Sequence, residues 1–580
     1  MRNIFSRKRI ALPLILALFF SALSCSDSFL DVPPTASLTE EVLATKAGVE
    51  GLLIGTYSVL NGRGNGWHGG STNWLWGSIR GGDANKGTNA GDFASMNPIE
   101  RFEVDANNPE VHSKWLGSYE GVARANRVLA LLDLATDVTD ADRARIGGEA
   151  RFLRGHFYFE LVKNFEKVPY VDETLDLTTG AADVKNDVDI WDKIIADFLA
   201  AYNTLPETQA QIGRANKYAA AAYLGKAYLF MQPEPNYTEA LKYFNEVITT
   251  GKTSDNRPYG LFPDFAGLFR LANENSQESI FAFQATGGAS STDNANHEYA
   301  MNFPYNTQPG NCCGFFHPSF ELATSYRTDA DGLPLLDKTY RLDANTLKTD
   351  QTVLSTSDFT PDAGNLDPRL DHTVGRRGIP FLDWGPHLGY SWVRDQSYAG
   401  PYTPKKYTYA KSEEGSLDKS GWTPGYMATN FMILRFADVL LMAAECEVEV
   451  GDPEIARDYV NRVRTRAANP ATFVKNGGNN AANYVIGTYD DSWTGNEDFA
   501  REAVRFERKL ELALEGHRFY DLVRWGIADA EINEYLDFEA ARIPSQFGGA
   551  SFTTKHEYLP IPQVQIDLQG PDILKQRDGF

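Results

Sequence analysis

The chain has 580 residues, 42% hydrophobic and 12% aromatic, a composition that supports packed cores in several domains and excludes a disordered or fibrous polypeptide. Its 55 Lys and Arg against 77 Asp and Glu give a formal charge of −22, which repels phosphate backbones and excludes nucleic acid as a natural partner. Four cysteines are too few for a disulfide framework in a chain of this length.

Arg2, Arg7, Lys8 and Arg9 precede an apolar run from Ile10 to Leu23. The run is shorter than the ~20 residues of a comfortable bilayer span, and small residues follow it, so residues 1–24 read as a signal peptide. Ser21-Ala22-Leu23-Ser24-Cys25 has the layout of a lipobox, in which the cysteine thiol takes a diacylglycerol and becomes the first mature residue. Ala22 stands where a leucine is usual. The expected lipidation site is Cys25. No other stretch is apolar enough to span a membrane, so attachment is through the lipid alone.

Residues 25–36 form a tether stiffened by Pro33 and Pro34. A helix is predicted from Ser37, with Glu40 and Glu41 in its first turns, to about Leu60. In residues 62–108 five glycines between Gly62 and Gly70 alternate with Trp67, Trp74 and Trp76 without a helical period, which predicts a long loop region. Helix returns over Val111–Phe165, where Ile146, Ala150, Leu153, Phe157 and Leu161 form one apolar stripe. A further helix is predicted over Asp187–Leu205.

A helical pair follows, Lys217–Met231 and Tyr237–Thr250. Leu224, Gly225 and Tyr228 have the spacing of the tetratricopeptide L-G-x2-Y element, and Ala240 with Phe244 that of A-x3-F. Ala219 to Ala222, Gly225 and Ala227 keep the first helix slim enough for close packing of stacked pairs. Residues 255–428 are irregular, with short strands such as Ser279–Gln284. Helices are predicted at Phe431–Val450, Pro453–Ala468 and Glu502–Val523, and Tyr558–Phe580 reads as extended. The expected fold is mostly α, a tetratricopeptide-like helical-pair scaffold with large irregular loop regions and a few short strands. It divides into residues 37–270, containing the aromatic loop 62–108, and residues 271–580, with an irregular ligand-face segment 271–428 and a helical part 429–580.

Of ten tryptophans, Trp115, Trp191 and Trp525 fall in helical segments and read as core. Trp67, Trp74, Trp76, Trp384, Trp392, Trp422 and Trp493 lie in loops. Sugars present C–H faces that stack on aromatic rings and hydroxyls that need planar hydrogen-bonding partners, so loop aromatics beside Asn, Asp and Arg are what a glycan platform requires. The candidates are Trp67, Trp74 beside Asn73, Trp384 beside Asp383, Trp392 two residues before Arg394, and Tyr305. Each aromatic has the alternative role of pinning a glycine-rich loop. Cys312 and Cys313 are adjacent and are either a vicinal disulfide or two thiols; Cys446 reads as packing.

Enzyme signatures such as H-E-x-x-H, G-x-S-x-G, a Walker loop and C-x2-C are absent, and no cofactor or metal is expected. Asp329-Ala330-Asp331-Gly332 reads as a turn, because its glycine is fourth rather than sixth as in a calcium loop. A pair of catalytic carboxylates among 77 acidic residues remains open from sequence.

The order of several motifs resembles one family, the SusD/RagB outer-membrane nutrient-uptake lipoproteins of the Bacteroidetes. The matching elements begin with Cys25-Ser26-Asp27 and Phe29-Leu30-Asp31, Ala123-Arg124-Ala125-Asn126, and Ala150-Arg151-Phe152-Leu153-Arg154 running on to Val168-Pro169-Tyr170. Asp367-Pro368-Arg369-Leu370, Arg435-Phe436-Ala437-Asp438-Val439 and the Asn461 to Ala467 run follow. Glu507-Arg508, Glu511, Glu515-Gly516-His517-Arg518, Asp521 to Trp525 and Tyr558-Leu559-Pro560-Ile561-Pro562 complete the set. The chain departs from the usual Q-N-P-G-Y ending with Gln576-Arg577-Asp578-Gly579-Phe580.

The resemblance implies a fold built on four tetratricopeptide-like units and a lipid-anchored, surface-exposed outer-membrane location. It also implies a partner, a SusC-like TonB-dependent transporter to which captured polysaccharide or oligosaccharide is delivered, and no enzymatic activity. Two further readings stand beside it: a surface lipoprotein glycoside hydrolase, and a tetratricopeptide protein-binding scaffold. The second would bury the loop tryptophans.

Overall fold

The computed structural model describes residues 40–62, 66–175, 183–288, 295–306, 309, 312–421, 423 and 425–580. The expected lipidation at Cys25, the tether, the helix start at Ser37 and Trp422 lie outside these residues.

Helices carry the fold. Lys46–Tyr57 packs on a pair of 26-residue helices, Pro109–Leu134 and Asp140–Phe165, which replace the single helical stretch read over Val111–Phe165. Asn108 accepts from the N–H of Glu110 at the first N-terminus and Thr139 from that of Asp142 at the second, so each helix starts on a side-chain cap. The next helix, Trp191–Thr204, begins four residues later than expected, where Asp189 accepts from the Trp191 N–H.

The tetratricopeptide-like pair is present as Lys217–Phe230 and Tyr237–Thr250. Its signature has a direct cause in packing: a Cβ on Gly225 would lie 2.5 Å from the Phe244 ring, so only glycine allows these helices their separation. The alanine-rich first helix is buried almost all round.

Three expectations in the C-terminal half are corrected. Phe431–Arg435 is a strand, paired antiparallel with Ser279–Phe283, and helix begins only at Phe436 and runs to Val450. All five residues of the strand are buried, and a short apolar run covered on both faces has no periodicity to separate strand from helix. The helix read over Glu502–Val523 is two helices, Glu497–Glu511 and Arg518–Arg524. Between them Leu514 (φ 65°) and Gly516 (φ 80°) are left-handed. A Cβ on Gly516 would collide with the Thr72 carbonyl, so this turn abuts the six-residue helix Trp74–Ile79 of the first loop region. Ala528–Ala540 forms a further helix, and Gln563–Gln569 is helical inside the segment expected to be extended.

The irregular middle of the chain is tied to the Glu497–Glu511 helix by buried charges. Arg369 reaches Glu507 at 2.6 Å and Glu511 at 3.0 Å while pairing with Asp367 at 2.7 Å. Arg435 bridges Glu278, Glu511 and Glu515, each at 2.7 Å. Arg464 pairs with Glu507 at 2.9 Å, Arg466 with Glu278 and Glu511, and Lys406 with Glu515 at 2.8 Å. Five cations thus meet five carboxylates, all of them buried. Burial alone would raise the Glu511 carboxyl, but Arg466, Arg435 and Arg369 together hold it far below the usual carboxylate range. Burial keeps His156 neutral, pushing it down to about 3, and His517 to about 4.

Removing one member leaves buried charges unmatched, so Arg435→Ala is expected to cost about 3–5 kcal/mol, measured by denaturant unfolding. A carboxylate depressed in the fold contributes stability above its unfolded pKa and loses it as pH falls. A histidine held neutral loses stability in the same direction. The melting temperature is therefore expected to fall as pH drops from about 6.5, where the unfolded histidines begin to take protons, and further below about 4.5, where the unfolded carboxylates do.

Candidate functional site

The first loop region is built around its tryptophans. Asn73 sits in the left-handed region (φ 52°) and starts the Trp74–Ile79 helix. Its side-chain amide donates to Glu160 at 3.0 Å, and its oxygen accepts from Lys114 at 2.9 Å. Trp74 is 1% exposed, edge-on to His68 and Phe316. Trp76 is equally buried and donates to the His68 carbonyl at 2.8 Å. Asn73 and Trp74, expected at a glycan platform, are therefore interior groups that hold the loop on the helices, out of reach of a surface ligand.

Trp392 is corrected in the same way. It is 3% exposed, edge-on to His387 at 4.8 Å and to Phe381 at 5.4 Å. Among the described residues the indole N–H groups of Trp74, Trp392 and Trp493 meet no hydrogen-bond partner, a cost tolerated for the apolar area these rings bury.

Two loop tryptophans among the described residues reach the surface. Trp67 is half-buried and stacks on His297, centroids 4.7 Å apart and planes at 22°, with Tyr426 at 6.4 Å. Trp384 is half-buried in a hairpin closed by the Phe381 N–H to the Gly385 carbonyl at 2.8 Å, with Gly385 left-handed (φ 90°). Its indole N–H donates to the Tyr409 carbonyl at 3.1 Å, and its ring stands edge-on to that tyrosine at 5.8 Å. Asp383 accepts from the N–H groups of Lys411 and Ser412 at 2.5 and 2.9 Å. Burial lifts its carboxyl, but these N–H groups outweigh it and hold it below the usual carboxylate range.

Packing links these positions. Tyr426 follows Gly425, where a Cβ would strike the Ala300 carbonyl and the Phe303 ring; Phe303 lies 5.3 Å from Tyr409, which carries Trp384. Two residues on, the Tyr305 N–H donates to the Trp392 carbonyl at 2.8 Å, and Arg394 lies 5.2 Å above the Tyr305 ring while pairing with Asp92 at 2.5 Å. Trp67, Tyr305, Asp383, Trp384 and Arg394 thus belong to one layer of loops built from the first aromatic region, residues 295–317 and residues 376–430.

Sequence reasoning missed His297, Tyr409 and Tyr426, whose contacts arise only when distant loops meet. It also missed Tyr390, 43% exposed in the short helix Gly389–Trp392; its spacing of two from Trp392 was the available signal. Cys312 and Cys313 are joined as a disulfide, the alternative left open by their adjacency, and Cys313 donates its N–H to the Met301 carbonyl at the edge of this layer.

Cavities of about 450 and 390 Å³ lie elsewhere, lined by helices and the segments that connect them, the larger also by the end of the Ser279–Phe283 strand. Among the described residues no group of three or more His, Cys, Asp or Glu is placed to hold a metal ion, and no helix is long and apolar enough to cross a membrane. Flat rings flanked by fixed polar groups suit the C–H faces and hydroxyls of a carbohydrate.

Residues 277–580 match the model of the SusD family, and residues 28–229 match that of a family described as starch-binding associating with outer membrane. The chain is similar to SusD-like protein P25 of Formosa agariphila, 27% identical over 578 residues and 95% of each chain. It is also similar to the starch-binding protein SusD of Bacteroides thetaiotaomicron, 24% identical over 77% of this chain and 75% of the relative. A solved laminarin binding SusD-like protein shares the fold with a TM-score of 0.62 at 23% identity, over 92% of this chain and 100% of its own. So does surface glycan-binding protein A from Bacteroides thetaiotaomicron in complex with laminarihexaose, with a TM-score of 0.63 at 21% identity, over 92% and 99%.

The two classes of tryptophan are expected to separate by thermal unfolding. Trp74→Ala and Trp392→Ala each empty a buried site and should cost about 3–5 kcal/mol. Trp67→Ala and Trp384→Ala should shift the melting temperature by much less.

Proposed function

Since the chain belongs to the SusD family, we propose that it is a surface-exposed outer-membrane lipoprotein, anchored through Cys25, that binds glycan and delivers it to a SusC-like TonB-dependent transporter. The observation that carries the binding reading is the loop layer in which Trp67 on His297 and Trp384 against Tyr409 are half-buried rather than enclosed. Tyr305, Arg394 and Asp383 supply polar groups around it. Aromatic rings carried on surface loops suit a polymer lying across them.

The layer favours capture over cleavage. Hydrolysis of a glycosidic bond needs two carboxylates free to act on the scissile oxygen and on water or the sugar ring. Asp383 is occupied by two backbone N–H groups and Asp92 by Arg394. Relatives described as binding starch and laminarin put neutral glucans first among the ligands to test.

The test is affinity electrophoresis of the soluble mature domain, without Cys25, through gels containing starch, β-glucans, alginate, mannan, xylan or pectins. Retardation by one polysaccharide without a change in its chain length is expected. With each stacking contact worth about 1 kcal/mol, Trp67→Ala and Trp384→Ala should each weaken binding several-fold, and the double variant tenfold or more. Shortening of the polymer would replace this reading with the hydrolase, and retention unchanged in the double variant would refute the site.

A further inference from the structure

Away from the loop layer, a cavity of about 390 Å³ opens between the C-terminal turn of Asp140–Phe165, the start of Trp191–Thr204, the end of Lys217–Phe230 and the helix Arg518–Arg524. Its volume lies within the ~300–1,000 Å³ of small-molecule sites. Four aromatic side chains line it: Trp191, Phe230, Tyr520 and Tyr558. Trp191 is held edge-on to Phe159 at 5.8 Å, and Tyr520 donates its hydroxyl to Asn164 at 2.9 Å. These walls are fixed before any ligand arrives, which lowers the ordering cost of binding.

The charges of the lining balance. Lys163, Lys167 and Arg524 face Glu166, Asp189 and Glu557. Three of the six are engaged: Lys163 with Glu160 at 2.5 Å, Arg524 with Glu445 at 2.5 and 2.7 Å, and Glu166 with Arg577 at 3.1 Å. Lys167, Asp189 and Glu557 make no ion pair among the described residues, and the half-buried Glu557 carboxylate makes no hydrogen bond among them. Glu166, Lys167 and Asp189 are exposed at the mouth of the cavity and Glu557 is half-buried, so the balanced lining selects neither an anion nor a cation. A neutral polyhydroxyl ligand uses both kinds of group, giving hydroxyl protons to the carboxylates and accepting from Lys167.

We propose that this cavity is a second, pocket-type site that takes a short neutral saccharide, one or two sugar rings set against Trp191 and Tyr558. It shares the chemistry invoked for the loop layer but not its residues, so either site can stand without the other. Burial, and then the neighbouring Glu166 and Asp529, raise the Glu557 carboxyl despite Arg577, in keeping with a group that lacks a partner of its own.

The test is isothermal titration of the soluble mature domain with maltose, laminaribiose, cellobiose and mannobiose. Saturable one-to-one binding of at least one, with a Kd in the millimolar range or tighter, is expected. Val523→Trp fills the cavity and Tyr558→Ala removes a wall; each should weaken disaccharide binding at least tenfold while leaving polysaccharide retardation intact, with folding checked by melting temperature. If wild-type protein binds a disaccharide through the pocket but is retarded by no polysaccharide, the loop-layer reading falls and the pocket stands. No saturable binding of any disaccharide at about 20 mM would overturn the pocket. So would binding lost in Trp67→Ala/Trp384→Ala and kept in both pocket variants.

Discussion

The charge web on the Glu497–Glu511 helix and the turn after it holds the C-terminal half together. Arg369 and Lys406 come from the irregular middle of the chain, Arg435 from the end of the Phe431–Arg435 strand, Arg464 and Arg466 from the helix Pro453–Ala467. These five cations converge on carboxylates at positions 507, 511 and 515, spaced four apart, and Glu278, just before the partner strand, pairs with Arg435 and Arg466. In a medium of low dielectric an unmatched charge costs several kcal/mol, so the web admits one arrangement of these segments and penalises its alternatives. Long loops that bury little regular structure are placed by this constraint, and the aromatic layer is placed with them.

A second link joins the halves. Gly516, in the turn between the charge-bearing helix and Arg518–Arg524, lies against Thr72 and Asn73, and Gly77 lies against the Gly516 carbonyl. Asn73 in turn is tied to Lys114 and Glu160 on the two long N-terminal helices. The loop that carries Trp67 is therefore anchored on one side to the helical scaffold and on the other to the turn that ends the ion web. A binding surface made of loops stays pre-organised because its buried tryptophans, Trp74, Trp76 and Trp392, hold those loops down.

The two uses of tryptophan mark the limit of what the chain order reveals. Trp67 and Trp74 sit in the same glycine-rich stretch and read alike, yet one lies half-buried on His297 and the other is enclosed. Local sequence has no term for what covers a loop residue, because the cover comes from residues 220 or more positions away: His297 under Trp67, Phe316 beside Trp74. Asn73 looked like a sugar ligand and proved to be a buried junction for the same reason.

Local signals sufficed where the physics is local. The apolar stripe of Asp140–Phe165, the small residues of Lys217–Phe230 and the Gly225–Phe244 contact follow from side-chain size at helical spacing, and the helical-pair fold was legible from them. So was the family, carried by scaffold motifs such as Arg435-Phe436-Ala437-Asp438 and Glu515-Gly516-His517-Arg518, whose charges and glycine turn out to be the ion web and the inter-helix turn. The strand at Phe431–Arg435, the break at residues 512–517 and the choice of which aromatics face outward were decided by tertiary structure alone. Each depends on pairing or burial supplied by a distant segment: the Ser279–Phe283 strand, the Thr72–Gly77 turn and the loops of residues 295–430. Sequence by itself determined what the chain is built from; which of its rings meet solvent depended on long-range contacts that periodicity does not encode.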